Sequence, residues 1–130
     1  MTRHLEHIVC IDDQSDILEI SQMALEYVGG YRVTCLNSGA QALSEAAGLK
    51  PDAILIDVMM PGMDGPTTLK GLRTQAELDA VPVIFMTARV QRSEVEAYLA
   101  LGANGVIHKP FDPMQLPTQV KGIWENFHGL

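Results

Sequence analysis

The sequence predicts an α/β protein built on a doubly wound parallel sheet with helices on both faces. Three observations carry this prediction. Short apolar runs alternate five times with longer amphipathic ones. The short runs, such as DAILID and PVIFMT, are apolar at successive positions, as strands buried on both sides must be. Several of them stop abruptly in acid or at a polar residue.

Residues 7–11 (HIVCI) are apolar and β-branched and read as the first strand. Residues 15–27 place Ile17, Leu18, Met23, Ala24 and Tyr27 at helical spacing, and Gly29-Gly30 stops the helix. Residues 32–36 form the second strand. Asn37-Ser38 offers a cap for a helix through Ala47, ended by Gly48. Residues 52–57 are the third strand. The run from Met60 to Gly65 is a loop by its Pro and Gly content, and a helix begins near Pro66, a residue suited to a first turn. Residues 82–87 are the fourth strand and residues 92–101 the fourth helix, stopped by Gly102. Residues 105–108 are a short fifth strand. A last helix is expected from about Asp112-Pro113 to about Phe127, with Pro117 distorting or restarting its first turn.

Length and composition bound the function. A chain of 130 residues, 47% of them hydrophobic, suits one domain with a real core. A single domain over residues 1–130 is expected, with its core over about residues 6–127 and no room for an output domain. The net charge of -7 comes without a basic stripe, which argues against direct nucleic-acid binding. No apolar run approaches the roughly 18 residues of a membrane span, so neither a membrane partner nor a membrane location is expected. The acidic balance fits a cytoplasmic protein. Cys10 and Cys35 lie in strand-like runs without CxxC spacing and read as buried small hydrophobes. The four histidines show no zinc-ligand spacing.

In such sheets, sites form beyond the carboxyl ends of the strands. The first strand ends in Asp12-Asp13, the third in Asp57, the fourth in Thr87 and the fifth in Lys109-Pro110. Any one of these residues alone reads as a capping or solvated group. Together they bring three carboxylates, a hydroxyl and an ammonium to one edge. Close carboxylates repel, and a hard cation such as Mg²⁺ relieves this. One carboxylate can then attack phosphorus, while the cation, an ammonium and a hydroxyl hold the equatorial oxygens of the moving phosphoryl group. The Lys109-Pro110 bond is expected to be cis, so that Lys109 turns back over the site directly after its strand.

The segments IDDQSDI (11–17), LIDVMMPGMDG (55–65), VIFMTA (83–88) and HKPF (108–111) carry a resemblance spanning essentially the whole chain. The chain resembles the CheY-like receiver domains of two-component response regulators. The resemblance implies a flavodoxin-like sheet of order 2-1-3-4-5. It implies Asp57 as phosphoacceptor, Asp12 and Asp13 as the acidic pair supporting Mg²⁺, and Met59 as donor of a backbone carbonyl to the metal. It also implies phosphoryl contacts from Thr87 and Lys109. A histidine kinase or histidine phosphotransfer protein would be the phosphoryl donor, and an unnamed protein the downstream partner. Met59 and Arg89 fall where relatives border the path of the attacking water, and neither is a general base. Val106 stands where many receivers carry an aromatic that reports the phosphorylated state.

Three other functions compete for these residues. A haloacid-dehalogenase-type phosphohydrolase would carry its nucleophile after the first strand with a second acid two residues on, whereas Asp12 and Asp13 are adjacent. A flavin mononucleotide carrier needs a phosphate-cradling first loop, and the stretch from Asp12 to Asp16 would repel a phosphate. A binding module independent of phosphorylation would not need the full acidic set.

Overall fold

The computed structural model describes residues 4–130. Five strands form one parallel sheet: β1 (His7–Ile11), β2 (Arg32–Leu36), β3 (Ala53–Asp57), β4 (Val83–Thr87) and β5 (Gly105–His108), in the order β2-β1-β3-β4-β5. This is the expected 2-1-3-4-5 order. Alternate residues of each strand feed opposite faces. Val9 and Ile11 join Ile54, Ile56, Val83 and Phe85 on one side, under helices α2 (Gly39–Leu49), α3 (Gly65–Arg73) and α4 (Arg92–Ala100). Ile8 and Cys10 join Leu55, Ile84 and Ile107 on the other, under α1 (Ser15–Met23) and α5 (Leu116–Phe127). β1, β3 and β4 are buried throughout, which is why their sequences are apolar without alternation.

Four expectations about helices need correction. The first helix turns π-helical over Ala24–Val28, where the Gly29 N–H reaches the Ala24 carbonyl at 3.2 Å. Leu18, Ser21 and Leu25 form the buried stripe at ordinary helical spacing, with Ala24 beside it, and Met23 and Tyr27 lie across the helix from it and face solvent. Gly48 does not end α2; the helix closes at Lys50, whose φ of 51° is left-handed, and Pro51 cannot extend it. Within the Asn37-Ser38 pair expected to cap it, Ser38 is the N-cap, its hydroxyl accepting from the Gln41 N–H at 3.1 Å. The fifth helix begins at Leu116, not near Asp112, because residues 112–115 form a turn in which the Asp112 carboxylate accepts the Met114 N–H. Pro117 therefore opens the helix instead of distorting it, since a first-turn residue needs no N–H.

The cysteines fall short of the expectation only in part. Cys10 is buried, Cys35 half-buried, and both are free thiols. They are register partners across β1 and β2. Burial pushes both thiols up, so neither is a ready thiolate.

Candidate functional site

The parallel register delivers the ends of β1, β3, β4 and β5 to one edge of the sheet. Asp12 comes directly after β1 and is buried. Its Oδ1 accepts the Gln14 N–H at 3.0 Å, a local turn that fixes the carboxylate just before α1 begins. Asp13 beside it is exposed. Asp57 closes β3 and is also buried. The three carboxylates offer oxygens that all lie within 4.8 Å of one another. Among the described residues this is the one group of three acid, His or Cys side chains so placed.

Lys109 reaches back from β5 to bind two of these acids. Its Nζ lies 3.0 Å from Asp12 Oδ2 and 3.1 Å from Asp57 Oδ1. The Lys109-Pro110 peptide is cis, as expected. Burial alone would lower the Lys109 ammonium, but its contacts with Asp12 and then Asp57 outweigh that and hold its pKa up. Asp57 is pushed the other way for a carboxylate. Burial and then the Asp12 charge raise its pKa, while hydrogen bonds from Lys109 and the Met59 N–H only partly compensate. One ammonium thus serves two buried carboxylates, with a third beside them. The cluster is short of positive charge, and its hard oxygen donors suit a divalent cation such as Mg²⁺.

Thr87 is buried at the end of β4, and its hydroxyl accepts the Arg89 N–H at 3.0 Å. Asp13, Asp57, Met59, Thr87 and Lys109 line a common cleft of about 410 Å³, together with Gln14, Ala88 and Pro110. The cleft therefore gathers five of the six residues that the sequence points to. The sixth, Asp12, is buried and joins the others through Lys109, whose Nζ is 3.0 Å away.

Arg89 departs from expectation. Its side chain turns toward Glu94, at 3.9 Å, and lines a neighbouring cleft with Val90 and Gln91. Only its backbone N–H touches the site, through Thr87.

Two contributors escape a reading of the sequence. Gln14 could have been found from the Asp12-x-Gln14 turn signal ahead of a helix. Gly65 could not. A Cβ there would lie 2.8 Å from the Asp57 carbonyl oxygen and from Val58 Cα, and the Gly65 N–H donates to the Val58 carbonyl at 2.9 Å. The glycine lets the start of α3 close against the backbone of Asp57. Gly62, at φ 77°, supplies the turn between them. Asp64 caps α3 by accepting the Thr67 N–H at 2.9 Å.

An acidic triad at the switch edge of a 2-1-3-4-5 sheet, crossed by a lysine and faced by a threonine, defines a phosphoacceptor signalling domain. The family model of the response regulator receiver domain matches residues 8–121, and the chain belongs to that family. It is 34% identical over 119 residues to the response regulator SaeR of Staphylococcus aureus, covering 92% of this chain and 50% of SaeR. The chain thus spans about half the length of the curated relatives it matches. Among solved structures, it is similar to the Vibrio cholerae chemotaxis response regulator CheY4, with a TM-score of 0.85 and 28% identity over 92% of this chain and 99% of that one. It is also similar to the receiver domain of a signal transduction histidine kinase from Syntrophus aciditrophicus, with a TM-score of 0.80 and 30% identity over 93% and 91% of the two chains. The chain is a receiver domain of two-component signalling, with a phosphoacceptor role. The phosphohydrolase and flavin-carrier alternatives fall with that membership. No helix among the described residues is long and apolar enough to cross a membrane.

Proposed function

We propose that Asp57 is the phosphoacceptor and that Asp12, Asp13, Thr87 and Lys109 complete the machinery around it. The single observation that carries this reading is the geometry of Asp57. It is buried, raised in pKa, 3.1 Å from Lys109 Nζ and within reach of two further carboxylates. A carboxylate short of compensating charge binds a cation and accepts an electrophile more readily than one already satisfied.

In the proposed reaction, an Asp57 oxygen attacks phosphorus of a phosphohistidine on a histidine kinase or histidine phosphotransfer protein. The new O–P bond forms as the N–P bond breaks, and the imidazole leaves and picks up a proton. Lys109 Nζ, already against Asp57, moves with the charge onto a phosphoryl oxygen, with Asp12 holding its other side. Thr87 donates its hydroxyl proton to a second oxygen. Asp13, Asp57 and the Met59 backbone carbonyl would hold Mg²⁺, with Asp12 acting through water. When bound, the cation neutralises the carboxylates and the charge building on the phosphoryl group. The domain, with its core over about residues 6–127, carries this chemistry and a slow self-dephosphorylation. Its output is a changed surface read by a downstream protein, without direct nucleic-acid contact, in the cytoplasm.

Radiolabelled acetyl phosphate tests the reading. The protein should take label with Mg²⁺, lose that ability in EDTA, and take none as Asp57→Asn. Label that survives both EDTA and Asp57→Asn would overturn it.

A further inference from the structure

The geometry points to Met59 as an oxidation-sensitive control of the signal's lifetime, its sulfoxide shortening the life of phosphorylated Asp57. This inference rests on the proposed role of Asp57.

The chain carries seven methionines, and the fold treats them differently. Met60 and Met86 are buried, and Met63 is partly so. Met59 is 70% exposed although it lies two residues from a buried carboxylate. It lines both the Asp57 cleft and a second cleft with Met60, Pro61 and Asp64. Met23 and Met114 are also exposed, but neither lines the Asp57 cleft.

A peroxide is the oxidant class this site would meet. The thioether lone pair attacks one peroxide oxygen, the S–O bond forms, and the O–O bond breaks. Sulfur is oxidised by two electrons, and the peroxide is reduced to water or alcohol. Methionine sulfoxide reductases reverse the step.

The product changes the cleft in two ways, and both point in one direction. A thioether is a poor acceptor, so Met59 leaves the approach to phosphorus without a group that holds water. A sulfoxide oxygen is a strong acceptor and can hold a water at that mouth. Its partial negative charge also faces the phosphoryl oxygens and disfavours the phosphorylated state. The gain of one net hydrogen bond to the attacking water corresponds to roughly fivefold faster hydrolysis.

The test uses the full chain. Protein treated with dilute hydrogen peroxide is mapped by peptide mass, labelled with acetyl phosphate and Mg²⁺, freed of donor, and monitored as label decays. Oxygen should appear at Met59 ahead of Met60 and Met86. Label should decay about fivefold faster than in untreated protein, and a methionine sulfoxide reductase should restore the slow decay. In Met59→Leu, treated and untreated samples should decay alike, although Met23 and Met114 still oxidise. Unchanged decay with Met59 shown to be oxidised would overturn the inference while leaving Asp57 in place. So would a decay in Met59→Leu that still accelerates after peroxide. Untreated protein that takes no label at Asp57 would instead remove the functional reading beneath it.

Discussion

The hydroxyl oxygen of Thr87 accepts a hydrogen bond from the Arg89 N–H at 3.0 Å, tying the last residue of β4 to the loop that precedes α4. The same hydroxyl lines the Asp57 cleft and has one proton to donate. A phosphoryl oxygen on Asp57 would draw it inward and loosen its hold on the loop. The loop's other ties run forward into α4 rather than back to the sheet: the Gln91 N–H donates to Glu94 Oε1 at 3.3 Å, Arg92 pairs with Glu96 at 3.1 Å, and the Arg89–Glu94 ion pair is 3.9 Å long. α4 behind it has no fully buried residue; its Tyr98 meets Phe85 edge-on at 5.5 Å. Phosphorylation is therefore expected to move residues 88–92 more than Val106, whose one stiff χ1 leaves its surroundings nearly unchanged. Backbone amide shifts with and without beryllofluoride should change most in that loop. A change centred on Val106 and β5, with the loop still, would refute this route. Val106→Tyr should bind the natural partner differently while labelling of Asp57 stays close to wild type.

Thr87→Ala should slow phosphoryl transfer to Asp57 by about tenfold, the worth of one hydrogen bond to a charged oxygen. Label should still appear, because Lys109 remains. A rate equal to wild type would show that the Thr87 hydroxyl never reaches the phosphoryl group.

Asp57 also shapes stability. Its pKa in the folded protein is raised above 3.8, so the unfolded chain gives up its proton first as pH rises. Stability is therefore lost between pH 3.8 and the higher folded value, and the loss is constant above it. Asp57→Asn removes that loss. Without metal it should match wild type below pH 3.8 and melt slightly higher near pH 7. Mg²⁺ should raise the wild-type Tm more than that of the variant. Calorimetry at the two pH values, with and without Mg²⁺, reads both effects. A variant that melts below wild type at pH 7 in EDTA would contradict the charge argument.

Much of this was legible in the residues because buried parallel strands write themselves as unbroken apolar runs. The residue that ends each run then names the site, and Asp12, Asp13, Asp57, Thr87 and Lys109 were readable in that way. Helix ends were less legible. Gly48 is a plausible stop, yet the chain spends its left-handed turn at Lys50, where Pro51 already bars further helix. The π-helical turn at Ala24–Val28 has no sequence signature that separates it from an ordinary helix, and Met23 and Tyr27 are exposed because the buried stripe runs through Leu18, Ser21 and Leu25 on the opposite side. Arg89 was misplaced because a side chain's direction depends on its neighbours, here Glu94, and not on its distance from Thr87 along the chain. Gly65 was invisible because its role is a close approach in space to Asp57.

Gly65→Ala should disturb the site from behind. The new methyl would meet the Asp57 carbonyl oxygen and Val58 Cα at 2.8 Å, and backbone on both sides must shift. A destabilisation of about 1–3 kcal/mol is expected from overpacking. The labelling rate at Asp57 should fall even at temperatures where the variant is fully folded. Normal labelling in a destabilised variant would mean that the β3–α3 approach matters for folding alone.

The phosphoryl group should be long-lived. Met59 at the cleft mouth cannot orient water, and Arg89 points away toward Glu94. A half-life on the order of 10³ s is expected from a barrier that no general base lowers. Loss of label within a few seconds in Mg²⁺ buffer would show that another group activates water.

The central claim is that an acyl phosphate forms on the Asp57 side chain. Borohydride reduction tests it most directly, because it converts a phosphorylated aspartate to homoserine and leaves free carboxylates untouched. After treatment with acetyl phosphate and Mg²⁺, then borohydride and peptide sequencing by mass, homoserine should appear at residue 57 and nowhere else. Homoserine at residue 12 or 13, or label carried on histidine with residue 57 still aspartate, would contradict the account.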